Sequence, residues 1–285
     1  MKLVTFETND GVKAVGVLKK DSVLSLNKLL KQPDLSMMVL VEKGISYINE
    51  IRNEVDSSEG DYSLKEVKIL PPLERPKKIV CVGNNYMDHC REQKIKPPER
   101  PLIFSKWPSC VVSYNDHIEL PKESKQVDYE AELGVIIQTG GKHINREEVS
   151  DYIFGYVAVN DISARDVQFS DGQWIRGKSF DTFMPTGPFI LTADEVEEPQ
   201  KLSIKTSLNG KILQNSNTAE MIFDISYIVS YLSEGFTFES GDLIATGTPN
   251  GVGVFRHPQI FLQAGDMIEV SIEGLGSLKN TCVER

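Results

Sequence analysis

The stretch Asp128-Tyr129-Glu130-Ala131-Glu132-Leu133-Gly134-Val135-Ile136-Ile137 opens with an acid at every second position and ends as an apolar run. An extended chain alternates its side chains between two faces. The pattern therefore predicts a strand with Asp128, Glu130 and Glu132 on one side and Tyr129, Ala131 and Leu133 on the other. From Leu133 to Ile137 the run continues as a buried strand would. Burying an ionised carboxylate without a partner costs several kcal/mol, and neighbouring carboxylates also repel. Either cations neutralise this acidic face, or it looks into solvent from a sheet edge; Lys125 is a nearby candidate partner.

The same pattern of short apolar runs recurs along the chain. KIVCVG, YIFGYVAVND, GPFILTADEV, LSIKTSLNGKILQ, DLIATGTP and DMIEVSIEGLGSLKN all read as strands, with a hairpin signal at Asn209-Gly210. The clearest helix is DISYIVSYLSEG, with Asp224 as its N-cap and Gly235 just past its end. Near the N-terminus, short strands with a hairpin signal at Asp10-Gly11 precede a helical stripe over about Ser36–Val55. The proline-rich connector ILPPLERPKK then interrupts both helix and sheet. Two domains are expected, a small N-terminal α/β module over 1–70 and a larger one over 71–285. Strands without regular βαβ alternation predict an α+β fold dominated by sheet.

A chain of 285 residues can bury a substantial core, and ordinary apolar and charged fractions exclude global disorder. The formal net charge of −10 argues against a general nucleic-acid or anionic-membrane partner, which would require a basic surface. No apolar run approaches a membrane span, and the first residues alternate like a strand rather than a signal peptide. Cys81, Cys90, Cys110 and Cys282 are scattered without a CxxC pair, which suits reduced thiols in the cytoplasm.

Asp161 lies at the end of the apolar run YIFGYVAVN. With Glu130 and Glu132 it makes three hard oxygen donors from two strands, a set suited to Mg²⁺ or Mn²⁺. An octahedral ion takes about six ligands, so roughly three positions stay open for substrate. In GNNYMDHCREQ, His89 and Glu92 have the i, i+3 spacing that lets a carboxylate orient an imidazole on one helix face. That pair reads as a water-activating base or as an incidental surface pair. Cys90 is a third candidate, disfavoured because adjacent helical residues point apart. Lys178, in IRGKSFDTF, reads as an ammonium for a substrate oxygen, a Schiff-base lysine or a solvated loop charge, and Arg165 follows Asp161 closely. TGTPNGVGVF is glycine-rich but lacks the features of a phosphate-binding loop.

GNNYMDH, DYEAELGVII, GYVAVNDISARD, GKSFDTFMPTGP and SGDLIATGTPNGVG, in this order, resemble the fumarylacetoacetate hydrolase family. The resemblance covers the chain from about Lys77. It implies a layered β-sheet roll of the family's C-terminal-domain type, a homodimer, and Mg²⁺ or Mn²⁺ held by Glu130, Glu132 and Asp161. It further implies a His89–Glu92 dyad on a lid segment, Lys178 as the active-site lysine, and Gln168 and Thr248 as substrate contacts. Arg165 is the remaining candidate for substrate binding. Met184 stands where many members carry Cys, and no fourth acidic ligand precedes His89. The latter implies a branch acting on small 2-oxo acids. The activity expected is metal-dependent C–C cleavage, by acylpyruvate hydrolysis or oxaloacetate decarboxylation. A 2-hydroxyhepta-2,4-diene-1,7-dioate isomerase or decarboxylase of aromatic catabolism is the alternative, and a non-catalytic metal-binding protein is the reading from another class.

Overall fold

In a computed structural model describing Met1–Arg285, the apolar run forms the strand Ala131–Ile137, buried at every residue. It pairs antiparallel with Ile153–Asn160 on one side and with Leu243–Ala245 on the other. Both of its faces are covered, which is why its sequence does not alternate. These strands lie within a 12-stranded sheet. Beyond Leu243–Ala245 the sheet continues through Ile79–Gly83 to Leu102–Ser105. Beyond Ile153–Asn160 it continues through Met184–Thr192 into the N-terminal strands. A second, five-stranded sheet runs in the order Lys211–Asn217, Ser203–Leu208, Met267–Ile272, Gly276–Glu284, His117–Leu120.

Two apolar cores fill the two faces of the large sheet. One joins Leu133, Val135 and Ala158 to Ile204, Val270 and Leu278 of the second sheet, and to Ile225, Val229 and Leu232 of the helix Ile225–Gly235. The Asp224 carboxylate accepts the Tyr227 N–H at 2.7 Å and so starts that helix. The other core joins Val157 and Val159 to Leu40, Val41, Ile48 and Ile51 of the helix Met37–Ser57. The result is the layered α+β architecture expected from the strand pattern.

Two hairpins follow from local chemistry. Asn209 and Gly210 adopt φ of 51° and 81°, the left-handed pair that a two-residue hairpin turn requires. Gly11, with φ 80°, serves the turn after Lys2–Thr8. The helix Met37–Ser57 contains a feature its periodicity did not announce. Gly44 leaves helical geometry (φ 73°, ψ −176°), and the next N–H, of Ile45, donates to Gln138 Oε1 at 3.0 Å.

Residues 1–70 are hydrogen-bonded into the large sheet. Lys2 and Leu3 pair with Leu191 and Ile190, while Thr5–Thr8 pair with Leu70–Val67. No helix is long and apolar enough to cross a membrane. All four cysteines are free and buried.

Candidate active site

Strand register brings the acids together. Ala131 stands opposite Asn160, so the next pair outward is Glu130 opposite Asp161. The Asp161 N–H donates to Glu130 O at 2.9 Å, and the Glu130 N–H donates to Asn160 Oδ1 at 3.0 Å. Directly opposed residues share a face, and Glu132 shares it with Glu130 through the two-residue period. Carboxylate oxygens of Glu130, Glu132 and Asp161 lie within 4.8 Å of one another, and all three residues are buried.

Asp128 corrects one expectation. The strand is not continuous from residue 128. Val127–Asp128 belongs to a separate two-stranded ribbon with Ser163–Ala164, and the sheet strand begins only at Ala131. The break turns Asp128 away from the other acids, onto the N–H groups of Gly253 (2.7 Å) and Val254 (3.0 Å) and onto Arg165 Nε (2.9 Å). Gly253 has no room for a side chain there, since a Cβ would lie 1.8 Å from Ile260 O and 2.6 Å from Asp128 Oδ1.

The neutralising cations come from elsewhere in the chain, not from exposed Lys125. Lys178 Nζ bridges Glu130 Oε2 (2.7 Å) and Asp161 Oδ2 (2.9 Å). Arg165 Nη2 sits 2.7 Å from Glu130 Oε1, an ion pair without hydrogen-bond alignment, while Nη1 donates to Gln168 Oε1 at 3.1 Å. Lys106 was not singled out by sequence, yet it is fully buried. Its Nζ donates to Asp161 Oδ1 at 2.6 Å and to Ile162 O at 3.1 Å. The only sequence signal was a lone charge within the largely apolar PLIFSKWP.

Four buried carboxylates thus face three buried cations. Burial pushes Glu130 up, but Lys178 and Arg165 outweigh it and hold the carboxyl at about 2. Glu132 has no cation within ion-pair distance; its Oε2 accepts the Gly247 N–H at 2.9 Å. Burial first, then Asp161 and Glu130, push it well above the usual carboxylate range. Excess negative charge and an all-oxygen donor set fit a hard divalent ion at this cluster. Lys106→Met should destabilise the metal-free protein by about 3–5 kcal/mol, because it strips Asp161 of a buried partner. Added Mn²⁺ should restore part of that loss; urea unfolding with and without the ion measures both.

His89 and Glu92 meet as their spacing predicts. His89 Nδ1 lies 3.1 Å from Glu92 Oε2, and Glu92 Oε1 accepts the Gly251 N–H at 2.9 Å. With Nδ1–H donated to the carboxylate, Nε2 is left as the basic nitrogen. The ring packs edge-on against Phe255, with centroids 5.8 Å apart. Cys90 is buried on the same helix, and its thiol is pushed up chiefly by burial, the wrong direction for a nucleophile.

His89, Glu130, Glu132, Arg165, Gln168, Lys178 and Thr248 line one cavity of about 60 Å³, walled by Phe104, Trp174 and Phe255. Asp161 lies behind it under Lys178, and Glu92 lies behind His89. A larger hollow of about 570 Å³, bounded by Val4, Ile69, Tyr114 and Pro188, contains none of these groups.

The profile of the fumarylacetoacetate hydrolase C-terminal domain matches residues 78–283. The chain belongs to the fumarylacetoacetate hydrolase family. Within it, the mitochondrial oxaloacetate tautomerase of Xenopus laevis is 39% identical over 288 residues, covering 99% of this chain and 90% of that protein. Among solved structures, the fumarylacetoacetate hydrolase of Exiguobacterium antarcticum aligns over the whole of both chains, with TM-score 0.85 and 36% identity. Maleylpyruvate hydrolase from Sphingobium sp. SYK-6, solved with manganese(II) and pyruvate, has TM-score 0.83 and 28% identity. That alignment covers 100% of this chain and 99% of the other. Members of the family are therefore enzymes of more than one reaction type, and this chain carries an acidic cluster that can hold a metal ion.

Proposed function

We propose that the protein is a divalent-metal-dependent enzyme that forms the enol of a small 2-oxo acid, with oxaloacetate keto–enol tautomerisation as its first activity. The observation that carries this is the shared cavity. Glu130, Glu132, the buried ammonium of Lys178 and the carboxylate-backed imidazole of His89 line one small volume, with Asp161 behind it under Lys178. Support for oxaloacetate comes from the Xenopus relative, whose similarity spans nearly the whole chain.

Mg²⁺ or Mn²⁺ held by Glu130, Glu132 and Asp161 would polarise the keto oxygen and stabilise negative charge there. Lys178 contributes a fixed positive charge in a site shielded from water, where it stabilises the same developing oxyanion. His89 Nε2 takes the proton from C3 of the keto form, and the imidazolium then delivers it to the oxygen of the enolate, so that the net change is one proton moved from C3 to oxygen; the reverse reaction retraces this path. Glu92 holds the ring and stabilises the imidazolium that results. Gln168 and Thr248 offer polar contacts to the substrate carboxylates. Arg165, tied to Asp128 and Glu130, chiefly orients the acids.

C–C cleavage is the second reading, favoured by the manganese- and pyruvate-bound maleylpyruvate hydrolase among the neighbours. In hydrolysis of an acylpyruvate, His89 would take a proton from water instead. The hydroxide would add at C4, and the C3–C4 electron pair would pass to the keto oxygen. Decarboxylation of oxaloacetate requires no such water.

A test follows enol-oxaloacetate absorbance and pyruvate formation together, with Mg²⁺- or Mn²⁺-loaded protein and metal-only controls. Enol loss that outpaces pyruvate formation is expected. Pyruvate appearing as fast as the enol disappears would replace tautomerisation with decarboxylation. Pyruvate and acetate released from acetylpyruvate would establish hydrolysis, and inertness toward both substrates with both metals would sink the proposal.

A further inference from the structure

Gln214 lies in Lys211–Asn217, an edge strand of the five-stranded sheet, yet it is completely buried and uses every hydrogen-bonding site it has. Its Oε1 accepts the Ala131 N–H at 3.0 Å and the Thr206 hydroxyl at 2.7 Å. Its Nε2 donates to Pro249 O at 2.9 Å and to Thr248 Oγ1 at 2.9 Å. Amide nitrogen and oxygen are ordinarily told apart only by their partners. Here two partners are backbone groups of fixed polarity: the Ala131 N–H can only donate, and the Pro249 carbonyl can only accept. Flipping the amide would set hydrogen against hydrogen and oxygen against oxygen in a dry interior, which low dielectric makes costly.

That polarity passes to Thr248. Its oxygen is the acceptor in the bond with Gln214, so its own hydrogen is free for another acceptor, and no protein group accepts it. Thr248 lines the cavity beside His89, Glu132 and Lys178. The chain is held close here by the backbone as well. A Cβ on Gly251 would lie 2.3 Å from Leu213 O and 3.2 Å from Gln214 Cα, so the loop after Thr248 presses directly onto this strand.

We infer that Gln214 is a positioning residue that fixes the Thr248 hydroxyl as a hydrogen-bond donor into the cavity. The ligand atom opposite Thr248 is then an acceptor, a carboxylate or carbonyl oxygen, and a hydroxyl or amine hydrogen at that point is rejected. This rests on the reading of the cavity as a 2-oxo-acid site. It adds which side chain sets the polarity of recognition. The same amide grips the N–H between Glu130 and Glu132, so metal binding must be measured separately from substrate binding.

The experiment compares Gln214→Met, Thr248→Val and the double variant with the wild-type chain. Three quantities are read: pyruvate affinity of the Mn²⁺-loaded protein by calorimetry, KM and kcat for oxaloacetate, and Mn²⁺ affinity by electron paramagnetic resonance. Each single variant should raise KM and the pyruvate Kd on the order of ten-fold, the loss expected for one hydrogen bond to a charged group. The double variant should be no more than about three-fold worse than either single, because the two residues act through one donor. Mn²⁺ affinity should stay within about three-fold of wild type. Losses that multiply in the double variant would overturn the inference. So would a Gln214→Met variant that loses Mn²⁺ affinity while keeping its KM. If Gln214→Met does not fold, Gln214→Glu takes its place: its second oxygen would accept the Thr248 hydrogen and withdraw it from the cavity, so an unchanged KM would refute the assignment. Wild-type protein that binds Mn²⁺ but not pyruvate would overturn the functional reading itself, before any variant is compared.

Discussion

Glu132→Ala is expected to abolish metal-dependent turnover while leaving the metal-free protein close to wild-type stability. Of the three clustered acids, Glu132 is the one without a cation: its carboxylate has the Gly247 N–H, whereas Glu130 has Lys178 and Arg165, and Asp161 has Lys106 and Lys178. Burial and its acidic neighbours raise its folded-state value, so its ionisation weakens the metal-free fold as pH rises through that value. Deleting the carboxylate removes that repulsion and offsets the packing lost with the side chain. Glu130 has the opposite sign. Its value is held at about 2, so its contribution to stability is present above the ordinary carboxylate range and is lost as pH falls toward 2. Mn²⁺ titration by electron paramagnetic resonance and urea unfolding of the metal-free variant check both halves. A Glu132→Ala protein that still binds Mn²⁺ at wild-type affinity would remove this residue from the ligand set.

His89→Ala should separate the reactions proposed for this site. Where a proton must be taken from C3 or from water, loss of the general base should cost on the order of 10²–10⁴ in rate. Oxaloacetate tautomerisation and acylpyruvate hydrolysis belong to that class. Decarboxylation needs no proton abstraction to break its bond, so any such activity should survive in larger part, while Glu132→Ala removes all three. The measurement uses one Mn²⁺-loaded preparation of His89→Ala with oxaloacetate and acetylpyruvate, following enol, pyruvate and acetate. Equal losses in every reaction would refute this division of labour and leave the His89–Glu92 pair needing another role.

Most of the donor set was legible because it depends on short-range periodicity. Glu130 and Glu132 share a face because a strand repeats every two residues, and His89 reaches Glu92 because a helix places i and i+3 together. Asp161 was found as an acid at the end of an apolar run, where a strand leaves its sheet. The same arithmetic failed at Asp128, since it assumes an unbroken strand. The N–H groups of Gly253 and Val254, supplied from more than a hundred residues away, draw that side chain out of line.

The sequence by itself determined the main strands, two hairpin turns and the helix Ile225–Gly235, and it singled out the clustered acids and the His89–Glu92 pair. Each of those properties is decided by residues within a few positions of one another. Tertiary structure alone decided what neutralises the acids, how residues 1–70 join the large sheet, and what accepts the N–H between Glu130 and Glu132. Lys106 meets Asp161 across 55 positions, Met1–Leu3 lies alongside residues near 190, and Gln214 reaches Ala131 across 83. A buried lysine or glutamine looks, in sequence, like any exposed one. What distinguishes it is the register of two strands packed in the interior, where an unpaired polar group is too costly to leave.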